Sequence, residues 1–212
     1  LKRYTTEKGT KVHMTLDIIH TLPDNANAYV LMDSWYTNPD ILNACREKSC
    51  HLIGAMKSNR ILYPEGKRTS AADLAASLDP GHFHPVTVKG RTYMVYRYEG
   101  ALNKIRQAVV LLSYLAEAVG KKQALRVFLC SDLSLSDEEI LTYYANRWTI
   151  EVFFRSHKRY MGLKSFMVRT AKAFDRLLII LALAHFFFSC ALGHFLPIHS
   201  GIRLCRHAFV KS

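Results

Sequence analysis

The chain has 212 residues, half of them apolar, with 10 Gly and 6 Pro; it is long enough to bury a core, and disordered, collagenous and miniature disulfide-stapled scaffolds are excluded. Lys and Arg number 29 against 17 Asp and Glu, a formal charge of +12. That balance favours nucleic acid as the partner over anionic membranes or acidic proteins.

In chain order, Lys11 to Leu22 carries partial helical periodicity (Val12, Leu16, Ile19) that Pro23-Asp24-Asn25 breaks. Ala28 to Met32 is too short for a helix and reads as a buried strand delivering Asp33 at its C-terminal end. Asn38-Pro39-Asp40 supplies a cap, a proline at the first helical position and an acid in the first turn, so a helix is expected to about Lys48. A second buried strand, His51 to Met56, is left through the basic run Lys57-Ser58-Asn59-Arg60. Strand, helix, strand with tight connections is a unit of an α/β sheet.

Pro64 to Gly81 reads as a linker holding a small helix, Ala71 to Ser77. Val86 and Val88, then Tyr93, Val95 and Tyr98, flank Lys89-Gly90 as a hairpin. Ile105 to Tyr114 and Leu125 to Cys130 read as two further strands. Residues 61–131 thus form a β-rich block inserted between an α/β piece, 1–60, and a helical piece, 132–212. Ser136 and Glu139 form a capping box, and the helix they open is expected to run from Asp137 to about Tyr160, with Gly162 ending it. On that helix Tyr144, Arg147, Glu151, Arg155 and Lys158 fall within an arc of about 80°. One carboxylate therefore sits among three cations, beside Ile150, Val152, Phe153 and Phe154. A ladder of surface ion pairs is the plain alternative, each worth a few tenths of a kcal/mol.

Leu177 to Ile198 is almost purely apolar. About twenty such residues can span a bilayer, but His185 and His194 interrupt the run and Ser189 and Gly193 weaken it. A helix buried in the domain core is the expected reading, with His185 packing there, and no membrane partner is expected. The five cysteines are odd in number and form no CxxC pair, which argues against a disulfide framework. Cys45-x4-Cys50-His51 lacks the second pair of a zinc site. Leu1 to Lys11 is unlike a signal peptide, so a cytoplasmic setting is expected.

The spacing Tyr144-x2-Arg147-x3-Glu151-x6-Lys158 resembles the signature of bacterial insertion-sequence transposases of the DDE type, whose catalytic domain is RNase H-like. Leu31-Met32-Asp33-Ser34-Trp35-Tyr36-Thr37 resembles the segment carrying that family's second catalytic Asp. Cys130-Ser131-Asp132-Leu133-Ser134 before the signature and Met161-Gly162-Leu163-Lys164 after it also fit, so the resemblance covers about residues 11–196.

The resemblance implies an α/β, partial RNase H-like catalytic domain with a β-rich insertion and C-terminal helices. It also implies metal-dependent DNA strand cleavage and strand transfer at transposon ends. Asp33 and Glu151 would be two of three carboxylates holding Mg²⁺, or Mn²⁺. Tyr144, Arg147, Lys158 and Arg155 would hold DNA, with a homodimer as the working unit near the nucleoid. Relatives can stack a flipped base on a Trp of the insertion; here Trp35 and Trp148 both lie outside it, and Tyr93, Tyr96 and Tyr98 with Arg91 and Arg97 are either substitutes or an ordinary tyrosine-rich hairpin.

Asp17, in a helix, and Asp24, in a loop, do not end a strand, so the first Asp is expected upstream of a chain that is a C-terminal fragment, inactive alone. A non-catalytic nucleic-acid-binding module, tolerant of Asp33→Ala and Glu151→Ala, is one alternative. A membrane protein anchored by residues 177–198 is the other.

Overall fold

The computed structural model describes residues 10–162, 167 and 169–190. The chain divides into two compact units, Leu1–Arg147 and Trp148–Ser212.

The first unit is built on an eight-stranded mixed sheet: β1 Tyr29–Met32, β2 His51–Met56, β3 Ile61–Leu62, β4 Thr69–Ser70, β5 His84–Val88, β6 Arg91–Leu102, β7 Ile105–Leu115 and β8 Arg126–Cys130. The order is β1-β2-β8-β7-β6-β3-β4, with β5 on β6. β1 and β2 are parallel, which requires a crossover, and α2 Pro39–Glu47 provides it. All other pairings are antiparallel.

Local signals act where the sequence places them. The Asn38 side chain accepts from the Ile41 N–H at 3.1 Å, opening α2 with Pro39 at its start and Asp40 in its first turn. Lys89 (φ 48°) and Gly90 (φ 75°) are both left-handed, as the two-residue turn between β5 and β6 requires.

Helices cover both faces of the sheet. On one, α1 Lys11–His20, α2 and α3 Ala71–Ser77 bury Ile19, Ile41, Leu42 and Leu74 against Leu52, Val110, Leu112 and Leu129. On the other, α4 Asp137–Ala145 buries Ile140 and Leu141 against Ile53, Val95, Val109 and Leu111. Central β7 is consequently buried on both sides from Ala108 to Tyr114, giving a continuous rather than alternating run. The β-rich stretch is continuous with the core: β8 returns to pair with β2, Ile53 opposite Cys130 and Met56 opposite Val127.

Expectation and structure part at the signature helix. α4 ends at Ala145, and α5 Trp148–Tyr160 starts after a break at Asn146 and Arg147. The N–H groups of Asn146 and Arg147 bond three residues back, to Tyr143 and Tyr144 carbonyls, at 3.0 Å each, tightening the last turn. Asn146-Arg147-Trp148-Thr149-Ile150 also holds several weak helix formers. Lys89 Nζ donates to Asn146 Oδ1 at 3.3 Å, holding the turn from outside. The five residues expected along one helix are therefore divided: Tyr144 lies in α4, Arg147 in the break, and Glu151, Arg155 and Lys158 in α5.

In the second unit α5 packs against α6 Ala171–Ser189. His157 is buried, its Nδ1 2.7 Å from the Phe153 carbonyl oxygen and its Nε2 3.1 Å from that of Leu181. His185 stacks on His157 and tilts against Phe153, so it packs as expected. Burial lowers its pKa, and the nearby His157 adds to this.

Full burial of α6 is not found. Leu181 is buried, but Ile179, Ile180, Leu183, Phe186 and Phe187 are exposed, because the apolar residues run all around the helix and α5 meets one stripe of it. Residues 191–198 of the expected helix lie outside the described residues. No described helix is long and apolar enough to cross a membrane.

Candidate active site

Asp33 follows the last residue of β1. Its backbone carbonyl accepts from Tyr36 N–H and from Thr37 Oγ1, both at 3.1 Å, while its Oδ1 accepts the Trp35 N–H at 2.8 Å. The carboxylate is thus oriented by an Asx turn, with Oδ1 occupied by that bond. The turn is braced from below. Thr37 is buried over Gly54, the β2 residue opposite Met32, and a Cβ on Gly54 would collide with the Thr37 hydroxyl. A glycine inside a buried strand often marks such a close approach. Arg60 Nη2 closes the base by donating to the Thr37 carbonyl at 2.9 Å.

Tyr144 and Arg147 lie at the end of α4. Arg147 Nε donates to the Tyr144 hydroxyl at 3.1 Å, and its guanidinium carbon lies 5.5 Å from the ring centroid. The Tyr144 ring meets Phe128 of β8 at 4.8 Å between centroids. Both residues line a cavity of about 700 Å³ whose wall also includes Ser34, Arg91, Tyr93 and Arg126. The structure therefore brings the Asp33 loop, the Tyr144–Arg147 pair and the start of β6 around one concavity rich in arginine and aromatic rings.

Of the hairpin residues singled out by sequence, Tyr93 and Arg91 face this cavity, but Tyr98 and Arg97 do not. The Tyr98 hydroxyl donates to the Ala101 carbonyl and accepts from Tyr63 N–H. Arg97 is a clamp. It donates to Asp137 Oδ1 at 2.7 Å, to the Leu135 and Leu133 carbonyls at 2.9 and 3.0 Å, and to Glu99 at 2.6 Å. His84 Nε2 lies 2.9 Å from the other oxygen of Asp137. This joins β5 and β6 to the first turn of α4, and so sets where α4 presents Tyr144. Arg126 and Phe128 were not flagged by the sequence, since nothing local tells which face of β8 meets the cavity.

In the second unit, Glu151 is half-buried on α5, and Arg155 and Lys158 follow it one and two turns on, both exposed. The Arg155 guanidinium carbon lies 5.3 Å from the Trp148 ring centroid.

The remaining acids have other roles. Asp17 is within α1, and Asp24 pairs with Lys48 Nζ at 2.7 Å, which lowers its pKa. Asp132 follows β8 at the end of the sheet away from Asp33. It accepts from the Tyr29 hydroxyl at 2.7 Å and from Ser134. Burial works against its charge, but those bonds prevail and its pKa is lowered; the same bond from Tyr29, with burial, pushes the tyrosine up to about 12.

Asp33 and Glu151 are hard oxygen donors of the kind a divalent cation takes, but no trio of carboxylate, His or Cys donors converges among the described residues. Cys45 and Cys50 are buried free thiols, Cys45 pushed up to about 11 by burial and the adjoining Cys50, as suits packing rather than metal binding.

The family model for a transposase DDE domain matches residues 2–187. The chain belongs to the transposase DDE-domain family. Its eight-stranded mixed sheet with helices is the RNase H-like architecture of such a domain. The family acts on DNA and uses divalent metal ions. No curated protein matches the chain.

Proposed function

We propose that this transposase-family chain cleaves and joins DNA strands at transposon ends, with Asp33 and Glu151 as carboxylates of a divalent-metal site. The observation that carries the reading is the shared cavity: Ser34, next to Asp33, lines the same concavity as Tyr144 and Arg147, with Arg91 and Arg126 alongside. Phosphodiester chemistry needs a carboxylate placed beside cations that hold the phosphates.

The residues divide the work by chemistry. Arg147, whose Nε donates to the Tyr144 hydroxyl, and Tyr144 itself would contact a phosphate at the cavity wall. Lys158 and Arg155 add phosphate contacts from the face of α5 that carries Glu151. The Asx turn fixes the orientation of the Asp33 carboxylate. A divalent ion such as Mg²⁺ or Mn²⁺, when bound, stabilises charge on the attacking and leaving oxygens. Residues 61–131 act as an insertion that carries Arg91 and Tyr93 to the cavity. Two transposon ends call for two copies, so a homodimer on DNA in the cytoplasmic, nucleoid compartment is the working form.

Binding of Mn²⁺ in the presence of duplex DNA, followed by electron paramagnetic resonance, tests the reading. Asp33→Asn and Glu151→Gln should each reduce bound Mn²⁺; unchanged binding in both variants rejects it.

A further inference from the structure

A second cleft adjoins the Asp33 loop. It has a volume of about 360 Å³ and is lined by Ser34, Trp35, Lys57, Asn59, Arg60 and Asn103, with no acidic residue in the wall. Trp35 is 76% exposed, an uncommon setting for the largest apolar side chain, and one that removes it from any role in the core. Its root is fixed all the same. The Trp35 N–H donates to Asp33 Oδ1, and Arg60 pins the end of the same turn through the Thr37 carbonyl. The ring is therefore exposed but tied by its backbone to the carboxylate. Lys57 Nζ lies 5.0 Å from the ring centroid, so a cation stands at the same spot.

A base-paired duplex buries the faces of its bases and presents only phosphates and groove edges. An exposed indole beside cations suits the opposite case, an unpaired base whose face is free to stack while its phosphate meets a lysine.

We infer that Trp35 is a stacking platform for an unpaired nucleotide of DNA, with Lys57 on the adjoining phosphate, so that the Asp33 side of the site favours frayed or single-stranded ends over closed duplex. The inference rests on the reading above that the chain acts on DNA. It adds a residue and a strand preference that the cavity around Tyr144 and Arg147 does not supply.

The chain has two tryptophans, so Trp148→Phe leaves Trp35 as the sole indole reporter. Titration with a short oligothymidylate should quench its fluorescence saturably. In the same background, Trp35→Ala should weaken oligothymidylate binding, read by anisotropy, roughly fivefold to a hundredfold. Affinity for a blunt duplex, held mainly through phosphates, should change by less than about twofold. An exposed side chain is a mild folding risk, and a urea melt of Trp35→Ala checks it. Unchanged oligothymidylate binding, or equal loss on both DNAs, overturns the inference while leaving DNA binding intact. Failure of the parent chain to bind either DNA overturns the DNA reading itself.

Discussion

Replacing Gly54 by alanine tests how the fold builds the Asp33 loop. In an ordinary strand Gly→Ala is favourable by about 0.5–1 kcal/mol, because alanine has less backbone freedom to lose. Here the new methyl would meet the Thr37 hydroxyl inside van der Waals contact, and Thr37, 4% exposed, has little room to move. Overpacking of that kind costs about 1–3 kcal/mol, and displacing Thr37 also forfeits its bond to the Asp33 carbonyl, about 1 kcal/mol more. The expected net destabilisation for Gly54→Ala, after subtracting the alanine gain, is therefore about 1–3 kcal/mol.

Thr37→Ala alone removes the hydroxyl bond and should cost about 1 kcal/mol. In that background the offending oxygen is gone and the nearest remaining Thr37 atom, its Cβ, is 3.3 Å from the added methyl. Gly54→Ala should then cost little further, giving a coupling of about 2 kcal/mol between the two sites. Urea unfolding of the four proteins, analysed by linear extrapolation, measures it. Additive effects, or a neutral Gly54→Ala, would refute the claim that this glycine seats the Asp33 turn.

Arg97→Ala removes the clamp on Asp137, whose side chain is 9% exposed, and should cost about 2–3 kcal/mol by urea melt, less than for a wholly buried pair because Arg97 remains partly in water; a loss below about 0.5 kcal/mol would mean the clamp does not hold α4. Tyr29 should ionise with a midpoint near 12 by ultraviolet absorbance, falling toward about 10 in Asp132→Asn. Its raised pKa contributes stability that is complete below pH about 10 and is lost as pH rises through the folded value, while the lowered pKa of Asp132 contributes stability above the ordinary carboxylate range that is lost as pH falls through its folded value. An unchanged Tyr29 midpoint in Asp132→Asn would remove the hydrogen bond as the cause. Lys158→Ala should weaken binding to many DNA sequences alike and lower the salt slope by about one; an unchanged slope argues against a phosphate contact.

What the sequence disclosed was local. Asn38-Pro39-Asp40, the Ser136–Glu139 capping box and Lys89-Gly90 each act over a few residues, and the structure places a helix start or a turn at each. The apolar runs ending at Met32 and Met56 were long enough to mark strands but said nothing of their neighbours. That β8 would close against β2, making the β-rich stretch continuous with the core, depends on contacts far apart in sequence. The same holds for the Arg97–Asp137–His84 cluster and for Phe128 behind Tyr144.

Periodicity misled at residues 146–147. The apolar and charged pattern continues through Asn146 in step with a helix, while the turn there is settled by weak local propensity and by Lys89, which arrives from the hairpin. Gly54 was the overlooked signal: a glycine within an otherwise apolar strand marked the place where Thr37 comes down on the sheet.

The proposal that Asp33 and Glu151 hold one divalent ion is tested most directly by Fe²⁺-directed cleavage of the polypeptide. With Fe²⁺ in place of the native ion, and ascorbate and peroxide added in the presence of DNA, radicals formed at the metal cut the backbone nearby. The account predicts cuts close to both residue 33 and residue 151, with both sets lost together in Asp33→Asn and competed by excess Mg²⁺. Cuts near only one of the two, or cuts near Glu151 that persist in Asp33→Asn, would contradict it.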